Sequence, residues 1–200
     1  MPGLRLFLKS RRLSMLVPAV GASLLLLMAV PSVLRDSPIT SDWATVPLLS
    51  VAVFPGIVWT VLAASPGRAL ESSLPRLRLR VYRSILFICT VSACVLVAAC
   101  AVNLRLFMEA EAVAVYRNVL FGLGAGSLSA VLLQRQLAWM PLLSYAVLNW
   151  TVGTSTSWGT ARAWSLLNAD AASGSAIATT VLVLVTGGIS YAVADGKGNR

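Results

Sequence analysis

The feature that most constrains this chain is a series of long apolar runs separated by short polar segments. Of its 200 residues, 58% are hydrophobic and only 12% are charged, whereas soluble domains average about 45–50% apolar and about 25% charged residues. A helix needs roughly 20 apolar residues to cross about 30 Å of hydrocarbon. Six such runs take up most of the chain, so the sequence predicts an all-α membrane protein and excludes a soluble or disordered one.

Six transmembrane helices are predicted, preceded by an amphipathic interfacial helix over residues 1–12 whose basic side faces lipid headgroups. The six spans form one transmembrane domain over residues 13–194 and cover residues 13–34, 44–64, 85–102, 119–133, 137–152 and 175–194. The longest polar loop is 65–84, a second polar segment is 153–174, and the polar tail is 195–200.

The distribution of basic residues predicts the topology. The chain has 16 Lys and Arg against 7 Asp and Glu, a formal net charge of +9. If the N-terminus is cytoplasmic, twelve of these basic residues fall in cytoplasmic segments and four in outer ones. Cytoplasmic loops of membrane proteins are rich in Lys and Arg, so both termini are predicted to be cytoplasmic. This bias accounts for the charge, and no nucleic-acid partner is expected.

Most catalytic chemistry is excluded by composition. The chain has no histidine, which removes histidine-based triads, histidine-ligated metals and histidine proton relays. Its three cysteines, Cys89, Cys94 and Cys100, lack metal-site spacing and are interpreted as packing residues. No nucleotide-binding loop is present. We therefore predict no catalytic, cofactor-binding or metal-binding residue in this chain.

Two motifs in the predicted spans have a packing interpretation. Gly122 and Gly126 form a G-x-x-x-G pattern, which allows close approach of helices, and Ser127 lacks the histidine base of a serine nucleophile.

The predicted spans contain no Asp, Glu, Lys or Arg. Arg117 and Asn118, at the outer end of span four, come nearest to an ionisable group in the membrane, which argues against coupling to an ion gradient.

The stretch 71–83 is the most informative polar segment. Arg76, Arg80 and Arg83 share one helical face, while Leu74, Leu77 and Val81 share another, so a short amphipathic helix at the cytoplasmic surface is predicted. Two interpretations remain open: an anchor on anionic lipid, or a helix that docks into a groove on a cytosolic partner.

The segment 153–174 has a similar ambiguity. Trp158, Trp164 and Leu167 share one apolar stripe, which is typical of an interfacial aromatic belt or of a re-entrant helix at the outer mouth of a pathway. A weak internal similarity, PLLSVAV from Pro47 and PLLSYAV from Pro141, is compatible with an inverted three-plus-three repeat or with coincidence.

The whole arrangement resembles the membrane subunits of ABC-2-type ABC transporters, which have the type V exporter fold. The features that carry this resemblance are the amphipathic helix before span one, the long cytoplasmic loop 65–84 and the outer segment 153–174. The sequences RNVLFGLG from Arg117, LAWMP from Leu137 and RAWSLL from Arg162 also look like short permease-like proteins of actinobacteria. The resemblance and the preference for Arg over Lys predict a multi-pass protein of the bacterial plasma membrane.

The resemblance implies a permease subunit that exports an amphipathic substrate such as a lipid, peptide or antibiotic. It implies as partners a cytosolic ATP-binding subunit, which would hold ATP and Mg, a second membrane subunit as homo- or heterodimer, and membrane lipid. The residues expected to contact the ATPase are Glu71, Leu74, Arg76, Leu77, Arg80 and Arg83. Candidate pathway residues are Tyr145, Asn149 and Trp150.

Two alternatives belong to other classes. The first alternative is a non-transporting membrane protein, such as an immunity, sensor or assembly subunit. An intramembrane enzyme such as a lipid transferase would need acidic residues near a bilayer surface, and the available pairs are Asp36 with Asp42 and Glu109 with Glu111.

Overall fold

The computed structural model describes residues 52–64, 75–103, 109–133, 136–152, 165–170 and 172–194. These ranges contain five α-helices and one short 3-10 helix, and no strand. The α-helices are α1 (Phe54–Ala63), α2 (Arg76–Asn103), α3 (Glu109–Leu132), α4 (Met140–Val152) and α5 (Gly174–Val193), and the 3-10 helix is Leu166–Asn168. The predicted helix 1–12 and span one lie outside the described residues.

Three of these helices are long and apolar enough to cross a membrane: Arg76–Cys100 in α2, Ala112–Leu132 in α3 and Gly174–Val193 in α5. The prediction of an all-helical membrane protein is therefore confirmed in its coarse form. With 10 and 13 residues, α1 and α4 are shorter apolar helices that do not reach about 30 Å by themselves. Six spans and the cytoplasmic placement of both termini stay predictions.

Two helices begin earlier in the chain than the sequence pattern predicted. The structure extends α2 nine residues before the predicted start at 85, and α3 ten residues before the predicted start at 119. Both extensions contain arginines: those of α2 fall in the stretch predicted as a separate amphipathic helix, and Arg117 falls at the predicted outer end of span four. At 28 residues, α2 is about 42 Å long, which exceeds the hydrocarbon thickness of a bilayer.

Prolines mark the starts of the two short helices. Pro55 occupies the first turn of α1, and Pro141 follows the first residue of α4. Proline suits this position because the first turn of a helix has no partner for its N–H groups. Pro55 and Pro141 fall inside the predicted spans two and five, and in the structure each lies at the start of a helix.

Helix α3 lies at the centre of the described bundle, and its glycines allow close contact on two sides. A Cβ atom added at Gly126 would lie 2.7 Å from the Gly56 carbonyl oxygen of α1. One added at Gly124 would lie 2.6 Å from Leu184 Cα of α5. Small residues let helix backbones approach in this way. The packing interpretation of Gly122 and Gly126 is confirmed, because both lie against α1.

Contacts between neighbouring helices fix their directions. Gly122 and Gly126 of α3 meet Val53 and Thr60 in the same order, so α1 runs parallel to α3. By the same reasoning, the contacts Arg117 to Asp170 and Gly124 to Leu184 make α5 parallel to α3.

The other two helices run the opposite way. Arg83 meets Ala194 and Phe87 meets Gly188, so α2 is antiparallel to α5. Phe121 packs against Tyr145, while Arg117 and Asn149 both reach residues 165–170, so α4 is antiparallel to α3. This alternation is what consecutive membrane crossings require, and it gives α1 and α4 the opposite directions that an inverted repeat needs.

Apolar side chains of α2 and α5 face outward. Ile85, Ile88 and Leu96 of α2 are exposed, as are Val181, Leu182 and Ile189 of α5. A surface of this kind is expected where hydrocarbon is the solvent. The same arrangement corrects the interpretation of the cysteines: Cys94 is buried in the core, but Cys89 and Cys100 are exposed on α2.

Hydroxyl groups inside the helices are satisfied locally. Thr60, Thr90, Thr180 and Thr186 each donate to the carbonyl oxygen four residues earlier. This bond removes the cost of placing a hydroxyl among apolar groups. The hydroxyl protons of these threonines are therefore used within their own helices.

Candidate functional site

A buried arginine lies within a candidate membrane span. Arg117 belongs to Ala112–Leu132 of α3 and is only 4% exposed. It lies eight residues after Glu109, or about 12 Å along the helix. The prediction that the spans contain no charged residue is therefore wrong, because α3 begins before Arg117 and carries it inward.

The guanidinium group of Arg117 binds backbone oxygens of residues 165–170. Its Nη1 donates to the Asp170 carbonyl at 2.8 Å, and its Nη2 donates to the carbonyls of Ala169 at 2.9 Å and Leu167 at 3.3 Å. Its Nε donates to Asn118 Oδ1 at 3.2 Å. These bonds place the positive charge among three carbonyl oxygens. Two of these oxygens have a further donor, because Leu167 O also accepts from Asn118 and Asp170 O accepts the Ser173 N–H at 3.0 Å.

Asn118 and α4 hold the same segment from two further sides. Asn118 Nδ2 donates to the Leu167 carbonyl at 2.9 Å. On α4, Asn149 Oδ1 accepts a bond from Ser165 Oγ at 2.7 Å, and the Tyr145 hydroxyl oxygen accepts the Leu166 N–H at 3.1 Å. Residues 165–170 are thereby pinned between α3 and α4.

Asn168 completes this polar region. Its Nδ2 donates to the Asn149 carbonyl at 2.8 Å, while its Oδ1 is buried without a hydrogen-bond partner among the described residues. We call the set formed by Arg117, Asn118, Tyr145, Asn149, Ser165 and Asn168 the Arg117 layer. From the sequence, Arg117 and Asn118 are recognisable only as polar residues at the end of a span, because the segment they bind lies about fifty positions away.

Two of the three candidate pathway residues belong to the Arg117 layer. Asn149 is fully buried and Tyr145 is half-buried. Both form hydrogen bonds to residues 165–168. The backbone of Trp150 is part of α4, but its side chain lies outside the described structure. Their role in a substrate pathway stays a prediction.

The residues predicted to contact an ATPase do not form a separate helix. Arg76, Leu77 and Arg80 are exposed on the first turns of α2, which continues without a break into the candidate span. Glu71 and Leu74 lie outside the described residues. The predicted face shared by Arg76, Arg80 and Arg83 is divided, because Arg83 is only 5% exposed.

Arg83 joins α2 to the end of α5. Its Nη1 donates to the Ala194 carbonyl, and its guanidinium carbon lies 5.9 Å from the centre of the Tyr191 ring. Tyr191 contacts Trp59 of α1 edge-on, with ring centroids 5.3 Å apart, and Trp59 lies 5.9 Å from Phe87 of α2. We call these residues, Trp59, Arg83, Phe87 and Tyr191, the Arg83 cluster.

Ser127 connects this cluster to α3. Trp59 Nε1 donates to Ser127 Oγ at 2.8 Å, and that hydroxyl donates to the Leu123 carbonyl at 2.8 Å. Ser127 is fully buried, and its hydroxyl is used in these two structural hydrogen bonds. No group of three or more metal-ligating side chains occurs in the described ranges, and the side chains of Glu109 and Glu111 are not among those described.

The chain matches no family model, no curated protein and no solved structure. Its functional interpretation therefore depends on its own residues, on the Arg117 layer near one end of the bundle and the Arg83 cluster near the other.

Proposed function

We propose that this chain is the membrane permease subunit of an ATP-driven exporter of the ABC-2 type. In this proposal a separate cytosolic subunit binds ATP and Mg, a second membrane subunit completes the pathway, and the substrate is an amphipathic lipid, peptide or antibiotic. The chain would lie in the bacterial plasma membrane with both termini in the cytoplasm.

The observation that carries this proposal is the form of α2. Its exposed first turns bear Arg76, Arg78 and Arg80 together with Leu77, which is 74% exposed. Because α2 is one helix of about 42 Å, a displacement of these turns by a partner would move the membrane-crossing part as well. Such a helix suits a subunit that receives mechanical work from outside the membrane.

The Arg83 cluster supports the same function. Arg83 follows the exposed turns directly and contacts Ala194 and Tyr191 of α5, and Trp59 and Ser127 extend the contacts to α1 and α3. A movement of α2 would therefore be transmitted to three other helices. In the proposed topology this cluster lies on the cytoplasmic side and the Arg117 layer on the outer side.

An amphipathic substrate is favoured by the charges in the described spans. Within the candidate spans Arg76–Cys100, Ala112–Leu132 and Gly174–Val193 every charged residue is an arginine. Four of them lie at positions 76–83 in the first turns of α2, and the fifth, Arg117, is occupied by backbone oxygens. No carboxylate lies in these ranges to bind a cationic substrate or to carry protons.

The test combines crosslinking with transport. A photo-crosslinking residue at Leu77 is expected to label an ATP-binding subunit encoded beside this chain, whereas the same residue at Leu96, which is 66% exposed on the bilayer part of α2, labels lipid. In inside-out vesicles containing both subunits, replacing Arg76 and Arg80 by Glu is expected to abolish ATP-dependent dye uptake. If transport survives alanine at Arg76, Arg80 and Arg83, the coupling proposal is wrong.

One observation favours a non-transporting immunity, sensor or assembly subunit as the second candidate. Tyr145 and Asn149, the described pathway candidates, are both engaged in bonds to residues 165–168. In this alternative, deletion of the gene leaves substrate flux unchanged, which the same vesicle assay measures.

A further inference from the structure

Three backbone oxygens converge beside α3 near the end of the bundle that holds the Arg117 layer. The carbonyls of Leu167, Ala169 and Asp170 all accept bonds from the Arg117 guanidinium, at 2.8 to 3.3 Å. In a membrane, backbone oxygens outside a regular helix must be paired within the protein. Asn118 and the Ser173 N–H supply further donors to the Leu167 and Asp170 oxygens. The guanidinium supplies the donor of the Ala169 oxygen and so completes the pairing of this segment.

The arrangement of the oxygens favours one kind of cation. The Asp170 oxygen accepts from Nη1, whereas the oxygens of Leu167 and Ala169 accept from Nη2. A metal ion needs its ligands around a single point, but here the acceptors are directed at two separate nitrogens. A planar cation with several N–H donors fits such a set, as arginine does with other divided acceptors.

The segment is also held by bonds that do not involve Arg117. Ser165 donates to Asn149, the Leu166 N–H donates to Tyr145, and Asn118 donates to the Leu167 carbonyl. Asn168 adds a fourth bond, to the Asn149 carbonyl. These contacts would keep the oxygens near their positions if the Arg117 side chain were shortened.

We propose that residues 165–170 form a guanidinium-binding cage, which the chain fills with its own Arg117 and which binds a free guanidinium ion when that side chain is removed. The site takes a planar, multiply hydrogen-bonding cation and discriminates against Na⁺ and K⁺. This inference goes beyond the proposed transport function, because it concerns a cation site that would exist whether or not the chain works with an ATPase.

The first experiment is chemical rescue. Arg117→Ala is purified in detergent, and its apparent unfolding temperature is measured with guanidinium chloride in the low millimolar range, where general denaturation is negligible. We expect a lowered unfolding temperature that guanidinium raises again along a saturable curve. Hexamethylguanidinium, which has no N–H group, and equal concentrations of NaCl or KCl are expected to have no effect. Wild type and Arg76→Ala, an exposed-arginine control, should not be stabilised.

Three outcomes of this experiment overturn the proposal. The first is a destabilised Arg117→Ala protein whose unfolding temperature guanidinium does not raise. The second is an Arg117→Ala protein as stable as wild type. The third is stabilisation by Na⁺ or K⁺ that equals or exceeds stabilisation by guanidinium, which would identify a metal-ion site or a general salt effect.

A second experiment does not require a purified variant. Asp170 is exposed, so a cysteine introduced there in a cysteine-free background reports the position of the segment through its labelling by an impermeant maleimide in membranes. We expect Arg117→Ala to change the labelling rate several-fold and guanidinium to restore it. Arg117→Lys, which keeps the charge on a single nitrogen, should show the changed rate without restoration. A labelling rate that is unaffected by Arg117→Ala contradicts the proposal.

Discussion

The two buried arginines of this chain have similar exposure but are held in different ways. Arg117 is 4% exposed and Arg83 is 5% exposed. Arg117 donates to three backbone oxygens and one side-chain oxygen in the Arg117 layer. Arg83 donates to the Ala194 carbonyl, and its guanidinium carbon lies 5.9 Å from the centre of the Tyr191 ring in the Arg83 cluster.

This difference shows that burial alone does not describe what an arginine does in a membrane bundle. In the Arg117 layer the charge organises a non-helical segment, so geometry and donor number are decisive. In the Arg83 cluster the charge sits at a helix end among aromatic residues, where packing and cation–π attraction contribute. The Arg117 layer should therefore be sensitive to donor geometry, and the Arg83 cluster to side-chain shape.

The largest contrast is expected from replacing each arginine by methionine. Arg117→Met removes the donor of the Ala169 carbonyl and one donor each of the Leu167 and Asp170 carbonyls, and should cost about 2–3 kcal/mol of unfolding free energy. Arg83→Met keeps an apolar stem against Tyr191 and should cost about 1–2 kcal/mol. Thermal unfolding in detergent compares the two variants directly. Equal losses would mean that the two regions do not differ in the way described.

A change at Gly124 should damage both regions at once, because α5 connects them. Gly124→Leu introduces a side chain where a Cβ already lies 2.6 Å from Leu184 Cα, and should cost about 3 kcal/mol through overpacking. The matched control is Gly174→Leu, since a Cβ there meets nothing within 4 Å. Monodisperse yield and unfolding temperature serve as measurements, and equal behaviour of the two variants would refute the close contact.

Lysine substitutions sharpen the comparison of donor geometry. Arg117→Lys keeps the charge but offers donors from one nitrogen, so we expect a loss of about 2 kcal/mol. Arg83→Lys keeps both the charge and a donor, and its loss should stay below about 1 kcal/mol. The readout is again the unfolding temperature, and a reversed order of the two variants would contradict this account.

The smallest effect is expected inside the Arg83 cluster. Trp59→Phe keeps the aromatic contacts with Phe87 and Tyr191 but removes the bond to Ser127, and should cost about 1 kcal/mol. Trp139→Phe, at an exposed position, is the control and should change stability by less than about 0.5 kcal/mol. A loss of several kcal/mol at Trp59 would contradict this ranking and would indicate that the missing part of the indole ring leaves a cavity.

The centres of the helices could be predicted from the sequence, but two of their starts could not. Apolar runs locate α2 to α5 because burial in hydrocarbon requires them. The sequence pattern assigns the arginines at positions 76–83 to a separate amphipathic helix and Arg117 to the outer end of span four, since charge is unfavourable in a membrane. The helices nevertheless continue through them, because the first turns of α2 are exposed and Arg117 finds oxygen partners.

The packing partners of the two regions were not predictable from local patterns. The pair Gly122 and Gly126 indicated a close helix contact, but nothing near it in sequence identifies Gly56 as the partner. Similarly, the carbonyl oxygens that accept bonds from Arg117 belong to residues 167–170, about fifty positions further along the chain, so no pattern around Arg117 identifies them. Apolar residue types also do not distinguish an inward from a lipid-facing position, which is why the interpretation of Cys89 and Cys100 failed.

The contact between Gly124 and Gly187 has a mechanical consequence for α3 and α5. A Cβ at Gly187 would lie 2.9 Å from the Gly124 carbonyl carbon, so the two helices touch backbone to backbone with no side chain between them to change rotamer. Any relative motion at this level would have to be a swing of whole helices around a fixed pivot. The two ends of α5 would then move in opposite directions, so a displacement of one helix end at one membrane face would be accompanied by the opposite displacement of the other end at the other face.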